Sequence, residues 1–228
     1  MVFTSENDEL FRTYKRLRDV LNAMNKELIR HLTRNSIQES ARKLGLARGK
    51  TLVFSNPHEA AVLFDYCLYN SRSGGKTVIE RYAEKTPPAP ESDETTVLHA
   101  MLDSFFSVFQ VRQVHKGRGV LLIEFFGKYE VFLMDIELGD TAVPDMPLAG
   151  RVLPFDDFYI SSGALLPLHE EPVSEAVIPI MERWLLNRRE MTHSKLSSGL
   201  EASFSAQFIR AALRAGALET VRYSDMRE

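Results

Sequence analysis

A single cysteine, Cys67, and a single tryptophan stand among 228 residues. One thiol excludes an internal disulfide and any zinc site built on several thiolates, and it suits a reducing compartment. No run approaches the roughly 18 consecutive apolar residues of a membrane-spanning helix. Residues 1–30 alternate apolar and charged side chains, unlike a secretory leader, so a cytoplasmic protein without membrane contact is expected. Catalytic signatures are lacking too. The six histidines (31, 58, 99, 115, 169 and 193) are scattered, with no HExxH and no helical His pair. "DIELGDTAVPD" (135–145) departs from the order of a calcium loop, with Met146 where the closing Glu belongs, and reads as an acidic surface loop. Ser161-Ser162-Gly163 lacks the glycine that precedes the serine of a nucleophile elbow by two positions. No catalytic residue, metal site or cofactor is expected.

What is present is an uneven distribution of charge within a net charge of −3. Residues 1–50 hold 11 basic and 6 acidic side chains, whereas residues 87–172 hold 5 basic and 14 acidic. Complementarity within the chain is the simplest use of such an arrangement. A nucleic-acid surface would have to lie on the basic arm, because the acidic middle repels phosphate.

That arm reads as one long amphipathic helix over residues 6–34. Leu10, Tyr14, Leu17, Leu21, Met24 and Leu28 recur at spacings of three and four, and Leu32 continues them. Arg12, Lys15, Arg16, Lys26, Arg30 and Arg34 form a basic stripe opposite. The apolar stripe suits either packing on its own domain or pairing with a second copy. "NSIQESARKLG" starts a second helix with Ser36 and Glu39 as a capping box and Gly45 as its stop. "SNPHEAAVLFDYCLYN" starts a third, with Asn56 as cap, Pro57 in the first turn and Glu59 reaching back; Cys67 falls on its apolar face. The prolines of "TPPAPESDE" (86–94) mark a linker, followed by a short helix to Asp103.

From Ser104 to Leu168 the texture becomes β, with short apolar segments between Gly, Pro and Asp turns. Residues 173–191 and 200–215 return to helix. The expected class is α+β: N-terminal helices, a five- to six-stranded antiparallel meander or small bent barrel, and C-terminal helices. The corresponding divisions are 1–86, 87–172 and 173–228. Within the β unit, "GVLLIEFFGKYEVFLMDI" reads as a hairpin turning at Gly127-Lys128 as type II′. That register opposes Leu121 to Met134 and Val120 to Asp135. Both faces of the hairpin are apolar, so it should be covered twice, by a barrel interior and by a helix outside. Glu124 and Asp135 then lie about 13 Å apart, too far for a catalytic carboxylate pair, and suit rim carboxylates meeting Arg or Lys.

"NSRSGGKT" (70–77) matches a phosphate loop only at Gly75, Lys76 and Thr77, with Asn70 where the first glycine belongs. Its preceding segment carries a helix cap rather than a strand, which favours a plain glycine turn. "LFDYCLYNSRSGGKTVIERY", "FSVFQVRQVHKGRGVLLIEFFGKYEVFLMD" and "LAGRVLPFDDFYISSGALLPL", within about residues 64–168, are similar to a group of uncharacterised bacterial proteins. Some members of that group carry a cysteine-rich zinc motif, SEC-C, which this one-cysteine chain lacks. The resemblance implies no activity and carries over no functional residue. The reading that follows is a non-enzymatic interaction or assembly module, with a protein partner or a second copy meeting the Leu10–Leu28 stripe. Two alternatives stand beside it: nucleic-acid binding through the basic stripe, and nucleotide binding or catalysis at Gly75, Lys76 and Thr77.

Overall fold

The computed structural model describes residues 5–189 and 198–219. The amphipathic arm divides into α1 (Ser5–Arg30) and α2 (Arg34–Leu44). The division falls at Thr33, whose hydroxyl accepts the Ser36 N–H at 3.1 Å, so Thr33 is the cap and Ser36 lies inside the helix. Gly45 ends α2 in the left-handed conformation, φ +81°. A small hairpin, β1 (Ala47–Arg48) and β2 (Thr51–Leu52), leads to α3 (His58–Asn70), α4 (Val78–Lys85) and α5 (Asp93–Asp103). Asn56 initiates α3 as its sequence suggests: its Oδ1 accepts the N–H groups of His58 and Glu59 at 2.9 and 3.2 Å. The Glu59 carboxylate in turn accepts the Ser55 N–H.

The apolar stripe of α1 is used within the chain. Tyr14, Leu17, Leu21, Met24 and Leu28 are buried against Leu68, Ile79, Val97 and Met101 of the following helices, and Leu10 packs half-buried on the same cluster. Of the two uses the stripe allowed, packing on its own domain is the one found here. The stripe's partners are helices of the same chain, so a second copy of α1 has no access to it.

The β unit comprises β3 (Phe105–His115), β4 (Gly119–Glu124), β5 (Glu130–Met134), β6 (Pro147–Pro154), β7 (Tyr159–Ser161) and β8 (Leu166–Pro167), with α6 (Ile136–Thr141) between β5 and β6. Five strands close into a barrel in the order β3-β4-β5-β7-β6, β6 returning to β3, and β8 adds to β6. The class is α+β, but the barrel is mixed rather than a meander. β5 and β7 run parallel through Leu133↔Tyr159 and Met134↔Ile160, because α6 and β6 intervene as the crossover between them. α7 (Glu171–Arg189) and α8 (Ser198–Arg214) pack against α2, α3 and the outer face of β3; the end of the expected helix 173–191 and His193 lie outside the described residues.

The hairpin is covered on both faces, as its sequence demands. Val120, Leu122, Val131 and Leu133 point into the barrel with Phe109, Val111, Leu148 and Val152. At about 1.5–3 kcal/mol for each large apolar side chain removed from water, this interior is a principal source of stability. On the outer face, Met134 and Phe132 pack on the α1 cluster. The register differs from the expected one by two residues: Leu121 opposes Phe132 and Val120 opposes Leu133. A two-residue slip keeps every side chain on its face. The turn is longer than Gly127-Lys128 because Glu124 organises it. Buried Glu124 accepts the Gly127 N–H and the Ser107 hydroxyl, while the Phe125 N–H leaves β5 to bond Val108 O at 2.8 Å. Glu124 is therefore an interior anchor and not a rim carboxylate.

The expected acidic loop begins as helix α6. Asp135 caps it, its Oδ1 accepting the Leu138 N–H at 3.0 Å. Gly139 seats it directly on the barrel, since a Cβ there would lie 2.7 Å from Gly119 N and 3.0 Å from His115 O. A Cβ at this closeness requires backbone movement. Gly139→Ala is expected to cost about 2 kcal/mol in urea unfolding by displacing α6 from β4.

Candidate functional site: a polar cleft against the barrel

A cleft of about 290 Å³ opens where α1, the start of α3, α6 and the β6–β8 region meet. Each element contributes chemistry: Arg18 from α1, His58 from α3, Asp135 and Glu137 from α6 and its cap, and Ser161 from the end of β7. Val62, Leu138, Met146, Leu148, Leu165 and Pro167 supply apolar wall. The buried Ser161 hydroxyl donates to Asp135 Oδ2 at 3.1 Å. Arg18 Nη1 donates to the Ser161 carbonyl and lies 3.5 Å from its hydroxyl. Asp135 thus has both oxygens engaged, one capping α6 and one holding Ser161. Partial burial raises the Glu137 pKa above its ordinary value and the Asp135 charge adds to this, against the opposing charges of His58 and Arg18. Burial, and then Asp135, raise the Tyr14 phenol in the same way.

Behind this floor lies a second cluster around buried Arg151, which is 3% exposed. Its guanidinium pairs with Glu201 of α8 and donates to Asn70 Oδ1 at 3.3 Å and Ser104 Oγ at 3.2 Å. It also lies over the Tyr69 ring, 4.8 Å from the centroid. Asp65 sits within reach of this charge. Burial pushes its carboxyl up to about 6, although the Arg151 charge and the Ser162 hydroxyl pull it down. The two clusters share a piece of backbone: the Ser162 N–H donates to Arg151 O at 3.0 Å, which sets the place of Ser161 in the cleft floor.

The residues singled out in the sequence fall elsewhere. Gly74 and Gly75, both at positive φ, form a tight turn closed by Ser73 N–H to Lys76 O at 2.9 Å. Lys76 pairs with Glu84, and Thr77 caps α4 in a capping box with Glu80. Helix α3 rather than a strand precedes the turn, so the amide cradle of a phosphate loop does not form. Along the basic stripe, Arg16 pairs with Asp93 at 3.0 Å, Arg30 with Glu27 at 2.9 Å, and Lys15 lies over the Phe11 ring. Arg12, Lys26 and Arg34 are exposed. Cys67 is buried, and burial pushes its thiol up to about 11, far from a reactive thiolate. Among the described residues no group of three or more His, Cys, Asp or Glu could hold a metal ion, and no helix is long and apolar enough to cross a membrane.

Sequence reasoning missed Arg18, Glu137, Asp65 and Arg151 as site residues. One signal was available for Arg151: it is the lone charge in the apolar strand "LAGRVLPF", where a buried charge must find partners. Arg18 lies off the basic stripe, next to the apolar one. Its role follows only from the proximity of α1 to β7.

Removing one member of a buried ion pair strands the other, at about 3–5 kcal/mol. Arg151→Ala is expected to lose that much in chemical denaturation. For Asp65 the folded pKa lies above its ordinary 3.8, so its contribution to stability is fully present below pH 3.8 and lost as pH rises through about 6. Relative to Asp65→Asn, wild-type Tm should fall across that window and level off above it, as a pH series of melting curves would measure.

No curated protein and no solved structure matches the chain. Residues 8–179 match a family of unknown function, DUF7986, and the match encloses the earlier resemblance without touching on the SEC-C motif. That range is more than half of the chain and includes α1, the whole barrel and every cleft element up to β8, so the protein belongs to this family of unknown function.

Proposed function

We propose that the protein is a binding module whose cleft receives a small polar molecule. One observation carries this reading: Arg18, His58, Asp135, Glu137 and Ser161, from four separate chain segments, converge on one concavity with apolar walls. Few polar groups set in an apolar pocket are the usual composition of a ligand site, and about 300 Å³ is the lower end of the usual size. The cleft thus suits a small molecule better than a nucleotide or a polymer.

The other expectations have weaker support. An assembly role through the α1 stripe is left aside because the chain's own helices cover it. Nucleic-acid binding has little support from a basic stripe whose Arg16 and Arg30 already face carboxylates. Nucleotide binding or catalysis at Gly75, Lys76 and Thr77 has little support from a turn whose Lys76 pairs with Glu84 and whose Thr77 caps α4.

The test is a thermal-shift screen of small polar metabolites against the wild type and Ala61→Trp. Ala61 is exposed at the cleft wall, so the indole should fill the cleft without disturbing the core. A ligand present at 100 times its Kd stabilises by about 2.7 kcal/mol, which raises Tm by about 5 °C or more in a chain of this size. The rise should appear in the wild type and vanish in Ala61→Trp. A ligand whose shift survives the substitution binds elsewhere and refutes the reading.

A further inference from the structure

The cleft presents two opposite charges that the fold leaves open to a ligand. Arg18 uses only Nη1 on Ser161; among the described residues its Nε and Nη2 donate to no protein acceptor. A guanidinium edge of this kind accepts a carboxylate in two parallel hydrogen bonds. Glu137, in the first turn of α6, is exposed at the cleft, and among the described residues no hydrogen bond reaches its carboxylate. Asp135 repels it against the opposing charges of His58 and Arg18, and an arriving cation would relieve that repulsion further. Val62, Leu148, Leu165 and Pro167 give the same space an apolar wall, beside His58 and His169.

From this arrangement we propose that the cleft recognises a small zwitterion, an α-amino acid with an apolar side chain, whose carboxylate meets Arg18 and whose ammonium meets Glu137; the inference rests on the binding reading above. A simple carboxylic acid would meet Arg18 but would bring its charge toward Asp135 and Glu137 without an ammonium of its own to answer them. A simple amine would cover the open N–H groups of Arg18 and leave them without water or acceptor. Only a ligand carrying both charges satisfies both ends. The volume of about 290 Å³ holds a single amino acid.

Isothermal titration of the whole chain with L-leucine, isoamylamine and 4-methylpentanoate separates these chemistries, because the three share an aliphatic body and differ in charge. L-leucine is expected to bind at least tenfold more tightly than either single-charge analogue. Glu137→Gln, at an exposed side chain without a hydrogen bond to lose, should fold normally and weaken L-leucine at least tenfold. Equal binding of the amine or the acid overturns the zwitterion assignment, as does L-leucine binding that Glu137→Gln leaves unchanged. If none of the three binds while another small polar molecule gives an Ala61→Trp-sensitive shift, the assignment falls and the binding module stands. If no molecule of any class gives such a shift, both fall.

Discussion

A guanidinium withdrawn from water costs several kcal/mol unless charge and hydrogen bonds replace its hydration. Arg151 meets most of that demand from four directions, the Glu201 carboxylate, the Asn70 amide, the Ser104 hydroxyl and the Tyr69 ring, while its Nε finds no acceptor among the described residues. These groups belong to α8, α3, the entry to β3, and α3 again. The barrel strand that carries Arg151 is thereby pinned to helices from both ends of the chain. Apolar packing alone would hold the helices near the barrel. The directional contacts of one buried cation specify where along it they sit.

The cleft depends on this pin at one remove. The Arg151 carbonyl holds Ser162, which leaves Ser161 facing α1 and α6, and Ser161 then couples Arg18 to Asp135. α6 reaches the same place from the other side because Gly139 allows it to rest on the start of β4 without side-chain bulk between them. Two structural constraints, a buried charge and a close backbone approach, thus place the cleft's charged groups. Asp65, next to Arg151, shows what such an interior costs: its carboxyl titrates near 6 because burial opposes its charge more strongly than Arg151 favours it.

Local signals in the sequence were reliable where the physics is local. The Asn56 cap, the Gly45 stop and the doubly apolar hairpin all concern residues within a few positions of one another, and all appear in the structure, although the cap of α2 moved from Ser36 to Thr33. The hairpin register was displaced because Glu124 binds the turn amide and Ser107, a partner 17 positions away. The acidic stretch after Met134 became a helix because Asp135 caps it and the barrel supports Gly139, although its composition resembles a surface loop.

The sequence by itself determined the α+β class, the apolar faces that must be buried and the lack of a thiolate-rich metal site, since these follow from composition and short-range periodicity. It left open what covers the α1 stripe, because a helix packed on its own domain and one packed on a copy require the same pattern. Tertiary structure decided that question in favour of the chain's own α3, α4 and α5. It also decided the site. Arg18 and Ser161 are 143 positions apart, and Arg151 and Glu201 are 50 apart. Contacts at such separations arise from the closure of the barrel and the docking of helices around it, and they have no local pattern.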